Sequence, residues 1–383
     1  MLSSQRALFD IPREVCYLNA ASWSPLPLQV QEAGRAGVGR KGQPWTLDPA
    51  FAARQHERAR RAAAALINAD AEDIALIPSV AYGVATAGKL AGLPSGTRVL
   101  VLQDDHASPV LEWTARAQAQ GFTVETVRQP YDGDWTASVL AAIARPGAPP
   151  LALASISWVH WSDGGALDLE RIAAALRAKG AGLLVDATHG AGVMPIDVRK
   201  LDPDFLVFPT YKWVLGPYGR AFLYVARRHQ DGVPLEQTAY GRRAISSERA
   251  PYMKDTSYTS GARRFDMGER DHFVSLEMAA VGMEMMAGWG QAEIVERLAM
   301  LTGQLAEGLG NIKDVRLPDS RVRAPHILSL GFAEGMPDGL IEGLAAENVH
   351  AAPRLGRLRI SPHVYNDEED VERFVAVFRK LVA

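Results

Sequence analysis

The sequence predicts an α/β protein: a mainly parallel sheet of seven strands with helices on both faces, followed by a smaller C-terminal α+β domain. Two observations predict it. Between residues 73 and 225, apolar runs of strand length alternate with longer segments of helical period, the pattern of a parallel sheet with crossover helices. Beyond about residue 290 the pattern changes to amphipathic helices separated by isolated strands. The expected division is a lead-in over 1–16 that packs with the small domain, a large domain over 17–285 and a small domain over 286–383.

Residues 1–16 should include a short helix. Tyr17-Leu18-Asn19-Ala20-Ala21-Ser22 precedes a loop stiffened by Pro25 and Pro27. Small residues and Asn19 there either let backbone approach a ligand or form an ordinary loop. Residues 50–67, rich in Ala and Arg, have helical character, and 73–77 is a short strand. Pro78-Ser79-Val80-Ala81-Tyr82-Gly83 opens a helix through residue 91. Small residues at a helix start leave N–H groups free and the dipole favours an anion, so Ser79, Val80 and Ala81 are the expected phosphate seat. Strands at 98–102, 122–127 and 151–159 alternate with helices at 109–120, 135–144 and 168–179. The first of those strands ends near Asp104-Asp105-His106.

Residues 182–219, GLLVDATHGAGVMPIDVRKLDPDFLVFPTYKWVLGPYG, carry the most specific signal. One buried-strand run stops at Asp186, with His189 just beyond. A second, over 205–208, stops just before Tyr211-Lys212-Trp213. In open α/β sheets ligands bind at these carboxyl ends. An acid and a lysine presented together suit pyridoxal phosphate: the lysine holds the aldehyde as a Schiff base, and the acid keeps the pyridine nitrogen protonated as an electron sink. Singly, Asp186 reads as a helix cap or turn former and Lys212 as a solvated side chain; it is the two together, with His189 and the glycine turn, that point to the cofactor. Residues 221–225 form the last strand. The glycine turn lacks GxGxxG spacing, and no GxxxxGK[ST] occurs, so neither nucleotide fingerprint is present.

Residues 229–268 break the alternation. Arg242, Arg243, Arg249, Arg263 and Arg264 fall here among Gly, Ser and Tyr, as a mobile loop over the site, a subunit contact or a solvated loop. Helix returns at 272–286, where Met278, Met283, Met285 and Met286 read as core or interface filler. A helix at 294–309, a strand at 326–331, a helix at 336–347, a strand at 357–361 and a helix at 367–382 complete the chain. Arg359 lies between Leu358 and Ile360 in an apolar strand. Such a charge must reach solvent, a structural acid or an anion, and its fork matches a carboxylate.

Formal net charge is −3, which gives no general attraction to nucleic acid or anionic membrane. The only cysteine is Cys16, so no intrachain disulfide or cysteine-based metal site is expected. The N-terminus carries charge where a signal peptide needs an apolar core, and no run spans a membrane. A cytoplasmic enzyme without bound metal is expected.

Together these motifs resemble the class V aminotransferase family of fold type I pyridoxal-phosphate enzymes, which includes cysteine desulfurases, kynureninases and isopenicillin N epimerase-like proteins. YLNAASWSPLP resembles the opening loop, HASPVLEW the ring-stacking stretch, LLVDATHGAG and FPTYKWVLGPYGRAFL the cofactor core, and ARRFDMGE and LRISPHVYN the later segments. The resemblance implies that Lys212 is the Schiff-base lysine and catalytic base, Asp186 the partner of the pyridine nitrogen, and His189 the partner of the phenolic oxygen. It places His106 on the ring face, Ser79, Val80, Ala81 and Tyr211 around the phosphate, and Arg359 on the substrate α-carboxylate, with Asn19 in the substrate loop. Gly268 and Glu269 would approach the phosphate from the second subunit of a homodimer. The phosphate turn lacks the family's paired threonines, and Ser157-Trp158 stands where desulfurases have Asn. The segment HAAPRLGRLRIS has no cysteine where desulfurases carry their nucleophile. The expectation is a small-molecule α-amino-acid substrate and transamination, with β-elimination or epimerisation sharing the first step. A persulfide-type cysteine desulfurase is excluded on this reading, and a non-catalytic cofactor-binding module is the rival of another class.

Overall fold

Apolar runs too short for helices and buried on both faces make the central sheet. Its strands are β1 (Ile74–Ile77), β2 (Arg98–Leu102), β3 (Thr123–Val127), β4 (Leu151–Ser157), β5 (Gly182–Asp186), β6 (Phe205–Pro209) and β7 (Ala221–Val225). A computed structural model of the protein describes residues 2–48, 50–245, 248 and 250–382. The sheet order is β1-β7-β6-β5-β4-β2-β3. β7 runs antiparallel to β1 and β6, and the other neighbours are parallel. The mainly parallel seven-stranded sheet read from the sequence is therefore present. Every residue of β1, β2, β6 and β7 is buried, whereas the edge strand β3 is mostly not.

The helices are α1 (Leu28–Gly42), α2 (Phe51–Ile67), α3 (Val80–Leu90), α4 (Ala107–Gln120), α5 (Trp135–Ala144), α6 (Leu169–Ala178), α7 (Val198–Leu201), α8 (Ser275–Trp289), α9 (Gln291–Leu309), α10 (Leu340–Ala346) and α11 (Glu368–Val382). Side-chain caps start several of them: Ser79 accepts from Tyr82 N, Asp134 from Ala137 N and Asp168 from Arg171 N, each satisfying an orphan donor. The sequence reading has no element at α1. Four glycines in LQVQEAGRAGVGRKG dilute its amphipathic signal, yet two of them let it pack: a Cβ at Gly34 would strike the Met278 side chain, and one at Gly37 the backbone of Phe273 and Val274. α10 begins at Leu340 rather than residue 336, because Gly339, at φ 73°, precedes it in the left-handed region.

A second, four-stranded sheet contains Val315–Arg316, β8 (Leu328–Phe332), β9 (Ala352–Arg354) and β10 (Arg357–Ile360), in the order Val315–Arg316, β8, β10, β9. The lead-in runs against these C-terminal elements. Cys16–Tyr17 pairs in parallel with Val349–His350. Arg6 reaches Asp370 at 3.0 Å and Arg13 reaches Asp367 at 2.6 Å. Ser361 N donates to Leu18 O at 2.7 Å and Ala20 N to Ser361 O at 3.0 Å, so residues 18–22 lie along the end of β10. In the 229–268 stretch, Arg242–Ile245 pairs antiparallel with Met253–Tyr258. Its arginines find partners within the chain: the Arg242 guanidinium lies 3.9 Å over the Tyr258 ring, and Arg263 pairs with Glu57 and Glu72. Arg249 lies outside the described residues. Among the described residues no helix is long and apolar enough to cross a membrane.

Candidate active site

The carboxyl ends of β5 and β6 open on a cavity of about 330 Å³. Eight of the residues singled out from the sequence line it: Ser79, Val80, Ala81, His106, Asp186, His189, Tyr211 and Lys212. Asp186 ends β5, and its Oδ1 accepts from Thr188 N at 2.9 Å. Trp158 does not line the cavity; it packs on Gly190, where a Cβ would strike its indole. Lys212 follows β6 in a tight turn that Leu215 completes at φ 57°. A buried leucine in that region costs about 1 kcal/mol or more, so packing in this turn holds Lys212 against local strain.

Lys212 is buried, and its Nζ stands 3.2 Å from His189 Nε2. Burial, then the charge of Arg359, lowers its pKa to about 7, with Asp186 acting in the opposite direction. An amine so shifted is about half neutral at pH 7, where an ordinary lysine is almost wholly charged, and can therefore act as a base and nucleophile. His189 is held well below its usual range by burial and by Lys212. Its Nδ1 accepts the indole N–H of Trp213 at 3.0 Å. An indole N–H can only donate, so neutral His189 carries its proton on Nε2 and aims it at the cavity. Trp213 is fixed in turn, its ring 4.3 Å from that of His326 and 5.4 Å from that of His363. Both histidines are pushed down by burial, to about 3 and about 4.

His106 opens α4 with its side chain exposed to the cavity, edge-on to Trp161 at 6.2 Å. The preceding Asp105 accepts from Ser157 Oγ at 2.7 Å and from His106 N at 2.8 Å, and burial pushes its pKa up to about 6. Tyr211 stacks on Tyr218 at 3.7 Å, and Tyr218 OH accepts from Trp23 Nε1.

Arg220 was not singled out from the sequence, because it reads as the end of a turn. It is buried on the cavity wall, donates to Ser275 Oγ at 2.8 Å and, among the described residues, forms no ion pair. Burial lowers its pKa to about 10. Pairing of Ala221 with Ile77 sets it beside Pro78 and the start of α3. Its only sequence signal was a charge touching an apolar strand, the signal that Arg359 also carries.

Arg359 and Asn19 stand behind this cavity rather than on its wall. Arg359 is 1% exposed, donates to Trp161 O at 2.6 Å and Ser22 Oγ at 2.9 Å, and leaves Nε without a partner. Burial, then Arg354, lowers its pKa to about 9. Among the described residues it forms no ion pair, so the alternative of a structural acid fails. Asn19 Oδ1 accepts from Ser22 Oγ at 2.7 Å. Gly268 and Glu269 line a neighbouring cavity that shares Tyr218, Gly219 and Arg220 with the first. Gly268 N is already taken by Glu236 at 2.6 Å.

The aminotransferase class-V family model matches residues 46–374. The chain belongs to this family. It is 28% identical over 342 residues to the uncharacterized aminotransferase YcbU of Bacillus subtilis (strain 168), covering 83% of this chain and 82% of that protein. It is 27% identical over 398 residues to the isopenicillin N epimerase of Amycolatopsis lactamdurans, covering 99% and 98%. The fold is similar to the apo cysteine desulfurase of Thermococcus onnurineus NA1, with a TM-score of 0.85 at 22% identity, covering 100% and 99%.

The family is that of pyridoxal 5′-phosphate enzymes acting on amino acids, and the cavity residues fit this cofactor. A buried arginine without a counter-anion among the described residues faces the start of a helix, a lysine with a lowered pKa stands inside, and an acid ends the neighbouring strand. One expectation is overturned. Desulfuration through a persulfide was excluded for want of a cysteine, yet cysteine desulfurases recur among the similar proteins, so that activity stands as plausible. The cysteine inventory tests only for a sulfur carrier within the chain. The cystine C–S lyase C-DES, similar in fold at TM-score 0.85 and 19% identity, was solved with cysteine persulfide as its reaction product, a persulfide carried by a small molecule.

Proposed function

We propose that this enzyme binds pyridoxal phosphate through Lys212 and removes the Cα proton of an α-amino acid. The observation that carries the reading is the buried Lys212 amine, with a pKa of about 7, set between His189 and the end of the strand bearing Asp186. When bound, the cofactor supplies an aldehyde for an amine and an electron-withdrawing ring. Asp186 would hold the proton on the ring nitrogen. His189 would donate from Nε2 to the phenolic oxygen, and the His106 imidazole would cover the ring. Arg220, the Val80 and Ala81 N–H groups, Ser79 and Tyr211 would hold the phosphate. Arg359 takes the substrate carboxylate in its fork beside Asn19. The Lys212 amine would accept the Cα proton. Trp161, Tyr211 and Tyr218 give the cavity an aromatic lining. The reactions named for the relatives, transamination, desulfuration and epimerisation, share this step.

The proposal extends to the assembly and the domains. A homodimer would set Gly268 and Glu269 of one protomer toward the phosphate of the other, a reading that rests on the family likeness of ARRFDMGE; within one chain the two line a cavity beside that chain's own Arg220. Residues 17–285 make the large domain and 286–383 the small one, with 1–16 bound to the latter, and the enzyme works in the cytoplasm. Borohydride reduction of the loaded protein followed by peptide mapping tests the core of the reading. The label belongs on Lys212, and a label on another lysine overturns it. Product analysis with an amino-acid panel then separates keto acid, a released β substituent with its sulfur, and inverted substrate.

A further inference from the structure

Arg354 stands beside the proposed carboxylate site without an assigned role. It ends β9, and Arg359 lies in β10, the other arm of a hairpin closed by Leu355 at φ 47° and Gly356 at φ 77°. The register opposes Ala352 to Arg359 and Arg354 to Arg357, so Arg354 sits two residues nearer the turn. Both guanidiniums nevertheless arrive at one atom. Nη2 of Arg354 lies 2.7 Å from Ser22 Oγ, and Nη2 of Arg359 lies 2.9 Å from it.

That hydroxyl donates its own proton to Asn19, so its one donor and two acceptor positions are filled. It carries no charge to offset either cation. Among the described residues neither arginine forms an ion pair, and Arg354 helps depress both Arg359 and Lys212. Of the remaining donors, Arg359 commits Nη1 to Trp161 O, and Arg354 commits Nη1 to Pro353 O at 2.7 Å. Each guanidinium carries five N–H groups, and one carboxylate offers about four lone-pair positions. Arg354 is half-buried, so water can meet part of its remaining donors, but a single carboxylate still leaves one of the two positive charges without a counter-charge.

We propose that Arg354 and Arg359 form a two-anion subsite, and that the substrate is an α-amino acid bearing a second acidic group on a short side chain. The side chain is short because the two forks lie within two hydrogen-bond lengths of each other. The inference rests on the proposed function, which gives Arg359 the α-carboxylate and leaves Arg354 the distal acid.

The test titrates the cofactor-loaded protein with aspartate, glutamate, their amides and alanine, following the cofactor absorbance. Wild type should bind each acid at least about tenfold more tightly than its amide, the scale of one charge-assisted hydrogen bond. Arg354→Gln should bring that ratio close to one. Arg354→Lys, which keeps the charge but not the fork, should leave an intermediate ratio, and melting curves identify a variant that has lost its fold. If both variants unfold, the wild-type ratio decides alone. Equal binding of acid and amide by wild type, or a ratio unchanged in folded Arg354→Gln, overturns the inference while the proposed function stands. An absorbance that no amino acid moves overturns the proposed function, and this inference with it.

Discussion

Asp186 and Lys212 reach the cavity from adjacent strands of one sheet, whereas Ser22 meets Arg354 and Arg359 across 332 and 337 residues. The first pair is fixed by register within a wholly buried layer. The second group exists only because residues 18–22 lie along the end of β10, held by the bonds between Leu18, Ala20 and Ser361. On the proposed function, chemistry of the cofactor would sit on rigid strand ends, and recognition of the substrate where two distant parts of the chain close on each other. Changes at the sheet wall should stop the reaction. Changes at the corner should alter which molecule is taken, and how tightly.

The largest effect belongs to Lys212. Lys212→Ala should abolish turnover and borohydride labelling, since it removes both the nucleophile and a base that is by itself worth roughly 10²–10⁴ in rate. Turnover near wild type would place the chemistry elsewhere. The same amine supplies a pH test in the cofactor-free protein. Only the free amine reacts with acylating reagents, so labelling of Lys212 should rise with pH and reach half its maximum near pH 7. A midpoint near the 10.5 of an ordinary lysine would show that burial does not set its basicity.

Asp186→Ala comes next. One pKa unit is worth about 1.4 kcal/mol, so losing several units of ring basicity should cost orders of magnitude in rate with cofactor still bound. Near-normal turnover would remove the electron-sink argument.

Arg359→Lys should act on the other side of the comparison. Losing one charge-assisted hydrogen bond, about 1.5–3 kcal/mol, should weaken amino-acid binding ten- to a hundredfold while cofactor absorbance and melting temperature hold. A lower melting temperature with unchanged affinity would make Arg359 structural.

The smallest effect is expected at Trp213. Trp213→Phe keeps most of the packing between His326 and His363 but removes the N–H that fixes His189. A neutral hydrogen bond is worth about 0.5–1.5 kcal/mol, so turnover should fall by no more than about tenfold. In the cofactor-free variant, the ¹⁵N spectrum of His189 should change from an Nε2–H form to a mixture of tautomers. An unchanged spectrum would mean that something else selects the tautomer.

Much of this arrangement was legible in the chain. Strand runs buried on both faces must be continuously apolar, so residues 182–186 and 205–209 announced themselves, and their ends named Asp186 and Lys212. Local order carried that information, because a parallel sheet places successive strand ends on one edge. Helix α1 escaped because its glycines dilute the apolar period, and two of them, Gly34 and Gly37, serve close packing against residues far along the chain, which leaves no periodic trace. Arg220 looked like part of a turn, and only the pairing of Ala221 with Ile77 carries it to the start of α3. The absence of a cysteine near the C-terminal arginine motif was read as excluding a reaction, although a chain's composition says nothing of a sulfur carrier outside it. The sequence by itself determined the layers, the strand that ends before Lys212 and the neighbouring strand that ends in Asp186, since hydrophobic period and strand ends are local properties. Only the tertiary structure decided that Ser22 would hold two arginines, that Trp213 would orient His189, and that Arg359 would lack an acid. Each depends on which distant groups share a buried volume, and on the cost of leaving a charge there unpaired.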